Sequence, residues 1–169
     1  MTSISGLVHY VVDNYKNLKM PRGVIIHLII SVFGIIFAIS AFIVLFVVYR
    51  NFDVGFWSIL SGILAAVCFH LHWLKGKESL ERWHTKSTLK SLNVVGFVSA
   101  VAGITALIWY LFLTFYYKIP VLPIGESTTI SAVWSMICGK WGIFLMYYSH
   151  KYGLIIAINS PAILTEDNA

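Results

Sequence analysis

One lysine stands inside an apolar stretch of this chain, and its position indicates binding chemistry. Lys140 lies near the middle of the otherwise apolar run 135–152. A charged lysine inside a membrane costs about 2.5 to 3.5 kcal/mol on insertion scales and usually has a partner. All seven acidic residues lie outside the apolar stretches or at their ends. We therefore expect an anionic ligand to pair with Lys140; the alternative is hydrogen bonding to carbonyl or hydroxyl groups of neighbouring helices.

Lys140 belongs to a stripe of side chains that suits iron and carboxylates. On a helix, Met136, Lys140, Tyr147 and Lys151 fall within about 60° of one another at 100° per residue. Methionine and tyrosine both serve as axial ligands of haem iron, and lysine pairs with carboxylates such as propionate. Met and Tyr at helical spacing are also common packing residues, so the stripe alone favours neither role.

Histidines add a second set of candidate ligands. His27 lies near the start of the first apolar stretch, His70 and His72 near the end of the second, and His150 at the end of the fourth. Neutral imidazole is the commonest metal ligand in proteins, although a single His on such a helix more often packs at an interface. His70 and His72 point to different helix faces, so one helix cannot direct both at the same iron.

The sequence carries no catalytic signature. It contains no Walker A loop, no His-Glu-x-x-His motif and no Ser/His/Asp grouping that the expected topology would bring together. We therefore expect a protein that is not an enzyme.

The elements that position these residues must be membrane helices. Of 169 residues, 59% are hydrophobic and only 11% are charged, which is too apolar for an ordinary soluble domain. Stretches of about 20 apolar residues cross the ~30 Å hydrocarbon layer as helices, which satisfy their own backbone hydrogen bonds. We predict an all-α membrane protein with four transmembrane helices, at about 24–49, 54–74, 92–117 and 130–148.

Lysine and arginine set the expected orientation. Nine of the twelve lie in the N-terminal segment, in the loop between the second and third spans or in the tail, against Arg50 and Lys118 in the other two connections. Because such residues concentrate in cytoplasmic loops, both termini and the middle loop are predicted to be cytosolic. The net charge of +5 is then mainly an orientation signal with some attraction to the lipid bilayer, and it does not indicate nucleic-acid binding.

The chain is expected to form one unit with two flanking segments. Residues 1–23 have the apolar periodicity of an amphipathic helix in the cytosolic interface, and residues 153–169 form a cytosolic tail. Small residues around Gly62 and Gly103 recur at four-residue steps and predict that the second and third helices pack closely. Four helices enclose little space, so a homo-oligomer is expected.

These residues together resemble a known family. The segment SAVWSMICGKW (131–141), the end YYSHKY (147–152), the second-span stretch SGILAAVCFHLHW (61–73) and Trp83 in the middle loop are similar to the HRG (haem-responsive gene) family of haem transporters. The likeness covers roughly residues 24–152. It implies a four-helix haem-transporter domain over that range, with haem as the transported substrate, in an endosomal/lysosomal membrane or the plasma membrane.

The resemblance also implies particular site residues. His72 would be the second-helix ligand of haem iron, and Ser149, His150, Lys151 and Tyr152 would form a C-terminal haem-interacting motif.

The chain departs from the family in the loop between the third and fourth spans, where it has no histidine. Haem capture there is therefore expected to use Tyr116, Tyr117 or Met136. From the exterior or an endolysosomal lumen, haem would place a propionate near Lys140, pass to His72 and leave past residues 150–152 into the cytosol. Sites on such a path must bind weakly enough to release their substrate.

Two other classes stay open from the sequence. A b-type cytochrome would retain haem as a redox cofactor between paired histidines, and His27 with His72 is the only pair at matching depth. A tetraspan scaffold would use its polar residues only to pack helices, so Lys140→Met would leave haem flux unchanged.

Overall fold

The computed structural model of the chain describes residues 21–159, and helices account for nearly all of this part. No strand occurs between residues 21 and 159. A short 3-10 helix at Ile124–Glu126 precedes the last helix. The helices are α1 (Arg22–Ala41, continued by a π-helical segment Phe42–Val48), α2 (Phe52–Gly76), α3 (Leu80–Trp83), α4 (Lys86–Tyr116) and α5 (Thr128–Asn159).

Four of these helices are long and apolar enough to cross a membrane. They are α1 with its continuation, α2, α4 and α5, whose lengths run from 25 to 31 residues over the described part. At 1.5 Å per residue each exceeds the ~30 Å hydrocarbon thickness. The predicted all-α membrane fold with four spanning helices is therefore confirmed.

The helices extend beyond the predicted apolar spans. Helix α4 begins at Lys86, six residues before the span predicted from residue 92, and α5 continues past Tyr148 to Asn159. Hydropathy marks only the apolar part of a helix, whereas backbone hydrogen bonding continues into polar segments. The predicted amphipathic segment lies almost wholly outside the described residues, and so does the distal part of the predicted tail.

Polar caps fix the starts of two spanning helices. The Asn51 side chain accepts a hydrogen bond from the Val54 amide at 3.1 Å, and the Thr85 hydroxyl accepts one from the Thr88 amide at 3.2 Å. Such caps satisfy amides that have no partner within the helix. Asn51 Nδ2 also donates to the Ile124 carbonyl at 3.0 Å, which ties the start of α2 to the turn before α5.

Helices α4 and α5 pack backbone to backbone through glycine. A Cβ added to Gly96 would lie 2.5 Å from the Met146 amide nitrogen, and one on Gly103 would lie 2.6 Å from the Gly139 amide nitrogen. Small residues permit this approach in membranes, where van der Waals packing drives helix association. The α4–α5 interface is the most extensive in the described part of the protein.

The prediction that the second and third spans pack closely is wrong. The small residues of α4 meet α5, and a Cβ on Gly62 of α2 would lie 3.1 Å from Ala38 of α1. Helices α2 and α4 meet mainly through side chains, as in the 3.3 Å hydrogen bond from Trp57 Nε1 to the Tyr110 hydroxyl. A stripe of small residues marks a surface of close approach without identifying the partner helix.

The core lies between α2 and α5, and α1 packs against α2. Large side chains rather than closely spaced backbones connect α1 to α5: the Phe37 ring stacks on Trp134 with centroids 5.4 Å apart. Gly34 leaves room for the Trp141 ring, which a Cβ at this position would overlap. We call this boundary between α1 and α5 the α1/α5 seam. We call one end of the bundle the basic end: it contains the start of α1, the α2–α4 connection and the end of α5.

Candidate functional site

Two histidines and two tyrosines meet between α1, α2 and α5 near the basic end. His72 Nδ1 lies 2.8 Å from the Tyr152 hydroxyl, and His27 Nε2 lies 2.9 Å from the Tyr148 hydroxyl. The two imidazole rings stack with centroids 5.0 Å apart. His72 and Tyr152 are buried, with 2% and 4% of their surfaces exposed. We call these four residues the histidine–tyrosine cluster.

The spacing of the tyrosines builds this cluster. Tyr148 and Tyr152 are four residues apart on α5 and therefore share a helix face. The ring of Tyr148 also contacts His72, with centroids 4.4 Å apart. Because Tyr152 engages Nδ1 of His72, Nε2 is the nitrogen left to contact a metal. A ligating histidine is normally oriented in this way by a partner on its other ring nitrogen.

The stacking of His27 on His72 does not suit a bis-histidine haem. Two axial ligands direct ring nitrogens at the iron from opposite faces of the porphyrin. Here the rings present their faces to each other at an interplanar angle of 16°. These histidines would have to separate and turn before they could ligate the same iron, so the observed arrangement does not favour the b-type cytochrome.

An apolar groove of about 370 Å³ lies along the α1/α5 seam, open to the outer surface of the bundle. Aromatic rings form much of its wall, and one cation stands among the residues that line it. The residues that line the groove include Phe33, Gly34, Phe37, Trp134, Lys140 and Trp141.

Lys140 is exposed and interacts with aromatic rings. Its Nζ lies 5.3 Å from the Trp141 ring centroid and 5.7 Å from that of Phe144. Cation–π contacts of this kind contribute about 0.5 to 2 kcal/mol and leave the charge in place. The acidic residues of the described part lie in connections or at helix ends: they are Asp53, Glu78, Glu81 and Glu126.

Aromatic residues connect the groove to the histidine–tyrosine cluster. Phe144 lies between them on α5, with its ring centroid 5.8 Å from Trp141 and 6.4 Å from Tyr148. Lys140 and Tyr148 are separated by about 12 Å of helix rise. A planar apolar molecule in the seam could therefore contact successive aromatic rings between Lys140 and the imidazole of His72.

The structure places the stripe predicted on α5 along its exposed face. Met136, Lys140, Tyr147 and Lys151 are all exposed, and Lys151 Nζ lies 5.9 Å from the Tyr147 ring. Lys140 is the member of the stripe that lines the groove. Met136 lies on the same face outside the groove lining.

The C-terminal motif implied by the resemblance is divided among helix faces. Tyr152 points inward to His72, Lys151 lies near Tyr147, and His150 is exposed beside a cavity between α4 and α5. Ser149 is buried and its hydroxyl donates to the Leu145 carbonyl at 2.6 Å. Because α5 stays helical to Asn159, consecutive motif residues point about 100° apart.

Tyr116 and Tyr117 lie at the other end of the bundle from His72. Both are exposed at the end of α4, with ring centroids 5.0 Å apart. A cavity of about 250 Å³ at the same end is lined by Arg50, Asn51, Ser127 and neighbouring residues, without either tyrosine. The structure therefore brings His72 and Tyr152 together and leaves the outer-side candidates apart from them.

A second pair of histidines lies at the basic end. His70 and His84 are 5.5 Å apart between ring centroids, and neither nitrogen of the His84 ring has a hydrogen-bond partner among residues 21–159. Burial lowers the pKa of His84 below its usual value, and the nearby His70 lowers it further. Both effects favour the neutral form of His84.

Sequence reasoning included Trp134, Trp141 and Tyr148 in the motifs of the resemblance but assigned none of them to the site. Tyr148 and Tyr152 are four residues apart, and Trp134 and Trp141 are seven apart, so each pair shares one face of a helix. This spacing could have identified the shared helix faces from the sequence. It could not show that α1 packs against them and supplies His27 and the opposite wall of the groove.

One family model matches this chain, over residues 89–141, and it is described as haem-transporter, endosomal/lysosomal, haem-responsive gene. The matched segment covers most of α4 and the first part of α5, including Trp134, Lys140 and Trp141. The resemblance to the haem-responsive gene family is confirmed over this segment, and that family consists of transporters rather than enzymes. No solved structure matches the chain.

Proposed function

We propose that this chain, whose residues 89–141 match the haem-responsive gene family, is a transmembrane haem transporter that moves haem along the α1/α5 seam into the cytosol. One observation carries the proposal: Lys140 stands at an aromatic groove on the same seam that leads to His72. The family match supports haem transport in general, and the geometry supports this particular path.

The groove suits an amphiphilic planar anion. Its aromatic and aliphatic walls can contact the faces of a porphyrin, and a lysine among apolar groups can pair with a propionate. Because Lys140 is exposed on the outer surface of the bundle, its charge faces lipid unless something covers it. An anionic ligand in the groove would offset the free-energy cost of placing the lysine charge against lipid.

His72 is the axial ligand of the proposed path. Its Nδ1 is engaged by Tyr152 at 2.8 Å, so Nε2 is the ring nitrogen that would ligate the iron. A single imidazole holds iron less firmly than two would, which suits a transporter because each site must release its cargo. Haem is therefore substrate here, not a resident cofactor.

Haem enters and leaves the proposed path at opposite ends of the bundle. Tyr116, Tyr117 or Met136 receives haem at the end away from His72, and His150 and Lys151 lie where it leaves. The compartment is an endosomal/lysosomal membrane or the plasma membrane. A second copy of the chain would cover part of the exposed apolar surface of α1 and α4.

Growth of a haem-auxotrophic yeast on limiting haemin tests the proposal. The strain expresses the parent, Lys140→Met, Lys140→Arg, His72→Ala or Lys118→Met at matched surface levels. Lys118→Met is the matched control because it makes the same chemical change outside the spans. We expect rescue by the parent, Lys118→Met and Lys140→Arg, with weaker rescue by Lys140→Met and His72→Ala. Equal rescue by all five proteins would contradict the proposed path.

A further inference from the structure

A second cavity, of about 210 Å³, lies between α4 and α5 at the basic end. Lys86 and Lys90 line it from α4, and His150 lines it from α5. It shares only His150 with the proposed haem path and opens on a different side of α5 from the α1/α5 seam. The proposed haem path uses neither lysine.

The cavity combines positive charge with apolar walls. Lys86 and Lys90 are four residues apart, which places their Cβ atoms about 6 Å apart on one helix face. Leu89 and Leu154 contribute apolar surface, and no acidic side chain is among the described residues that line the cavity. A bound anion would therefore meet two or three cationic or hydrogen-bonding groups without a competing carboxylate.

The floor of the cavity is fixed by the α4–α5 interface. Asn93 Nδ2 donates to the Met146 carbonyl at 2.7 Å, and Leu89 is 1% exposed. A Cβ on Gly153 would lie 3.9 Å from Leu89, in ordinary contact. One amide hydrogen of Asn93 is thus engaged, and the Ser149 hydroxyl donates to the Leu145 carbonyl. The lysines and the histidine are the cationic and imidazole groups that the lining offers to an anion.

The position of the cavity corresponds to the headgroup layer. It lies at the first turns of α4, before the apolar span predicted from residue 92, and beside the part of α5 that continues past residue 148. Basic pockets between membrane helices on the cytoplasmic side bind anionic lipid headgroups. No aromatic ring is among the described residues that line the cavity, and the cavity is smaller than the roughly 300 to 1,000 Å³ of sites for larger organic ligands.

We propose that Lys86, Lys90 and His150 bind the phosphate headgroup of an anionic phospholipid between α4 and α5. The lysines pair with phosphate oxygens and His150 contributes a hydrogen bond. The lipid thereby bridges the two helices whose packing places Lys140, and it holds the basic end at the membrane surface.

Binding of a short-chain lipid to the purified full chain in detergent tests this site. The probe is dioctanoyl phosphatidylinositol 4,5-bisphosphate, with dioctanoyl phosphatidylcholine as the neutral control. The variant is Lys86→Gln with Lys90→Gln. The matched control is Lys75→Gln with Lys77→Gln, which removes two cations from the same end of the bundle at positions outside the cavity lining. We expect about 30-fold weaker binding by the first variant and less than about threefold by the second.

A third variant, His150→Gln, keeps both lysines and should weaken binding severalfold. Equal losses in the two double variants, or no preference for the charged lipid, would overturn the site in favour of diffuse surface charge. A different result would assign the cavity to haem propionates. Haemin would then displace the lipid from the parent, and Lys86→Gln/Lys90→Gln would lose haemin binding. The same double variant should still support growth on haemin, so failure of this site is distinguishable from failure of the transport proposal.

Discussion

His72 and Tyr152 lie 80 residues apart in the sequence, yet Nδ1 of His72 is 2.8 Å from the tyrosine hydroxyl. This contact joins α2 to α5 and couples the proposed iron ligand to a residue of the C-terminal motif. We therefore propose that Tyr152 positions His72 from inside the bundle, where its side chain is buried.

Replacing Tyr152 by Phe should loosen His72 while preserving the ring. Loss of a partner on the second ring nitrogen typically weakens metal binding about 10- to 100-fold, and a lost buried hydrogen bond costs about 1 kcal/mol of stability. Haemin titration followed by the Soret absorbance measures the affinity. Tyr147→Phe is the control because it makes the same chemical change at an exposed tyrosine, five residues earlier on α5. Equal haemin affinity in the two variants would contradict the positioning role.

Adding a methyl group to Gly96 should separate α4 from α5. Its Cβ would lie 2.5 Å from the Met146 amide nitrogen, whereas a Cβ on Gly23 meets none of the described residues within 4 Å. Overpacking of this kind costs about 1 to 3 kcal/mol. Thermal unfolding in detergent should show a lower midpoint for Gly96→Ala and an unchanged one for Gly23→Ala. Identical midpoints would show that the glycine contact does not hold the helices together.

Adding a methyl group to Gly34 should obstruct the α1/α5 seam. The new Cβ would overlap the Trp141 ring, which must then move within the groove beside Lys140. We expect Gly34→Ala to lower haemin-dependent growth at normal surface expression, with Gly23→Ala as the matched glycine control. Full growth of Gly34→Ala would place the haem path elsewhere.

Acid should destabilise the connection that holds His84. Burial, assisted by His70, lowers the pKa of His84 below its usual 6.5, so the folded protein binds this proton less readily than the unfolded chain. The associated stability is present above pH 6.5 and is lost as pH falls toward the lowered value. Unfolding midpoints at pH 7.5 and pH 5.0 should differ less in His84→Gln than in the parent. An unchanged difference would show that His84 does not contribute.

Sequence alone predicted the elements better than their contacts. Apolar length located the four spans, and depth along them identified His27 and His72 as the one matched pair, which the structure shows stacked. The sequence could not show which helix packs against the small residues around Gly103, because small residues permit close approach to any helix. Nor could it place Tyr152, since its orientation depends on α5 remaining helical to Asn159.

The most direct test of the α1/α5 path is haem uptake by proteoliposomes that contain the purified protein and an entrapped apo-peroxidase, whose activity reports haem delivered to the lumen. Protein-free liposomes give the rate of unassisted diffusion. The account predicts uptake above that rate for the parent and for Lys140→Arg, and uptake close to it for Lys140→Met and His72→Ala. Uptake by the parent no faster than by empty liposomes, or full uptake by both impaired variants, would contradict it.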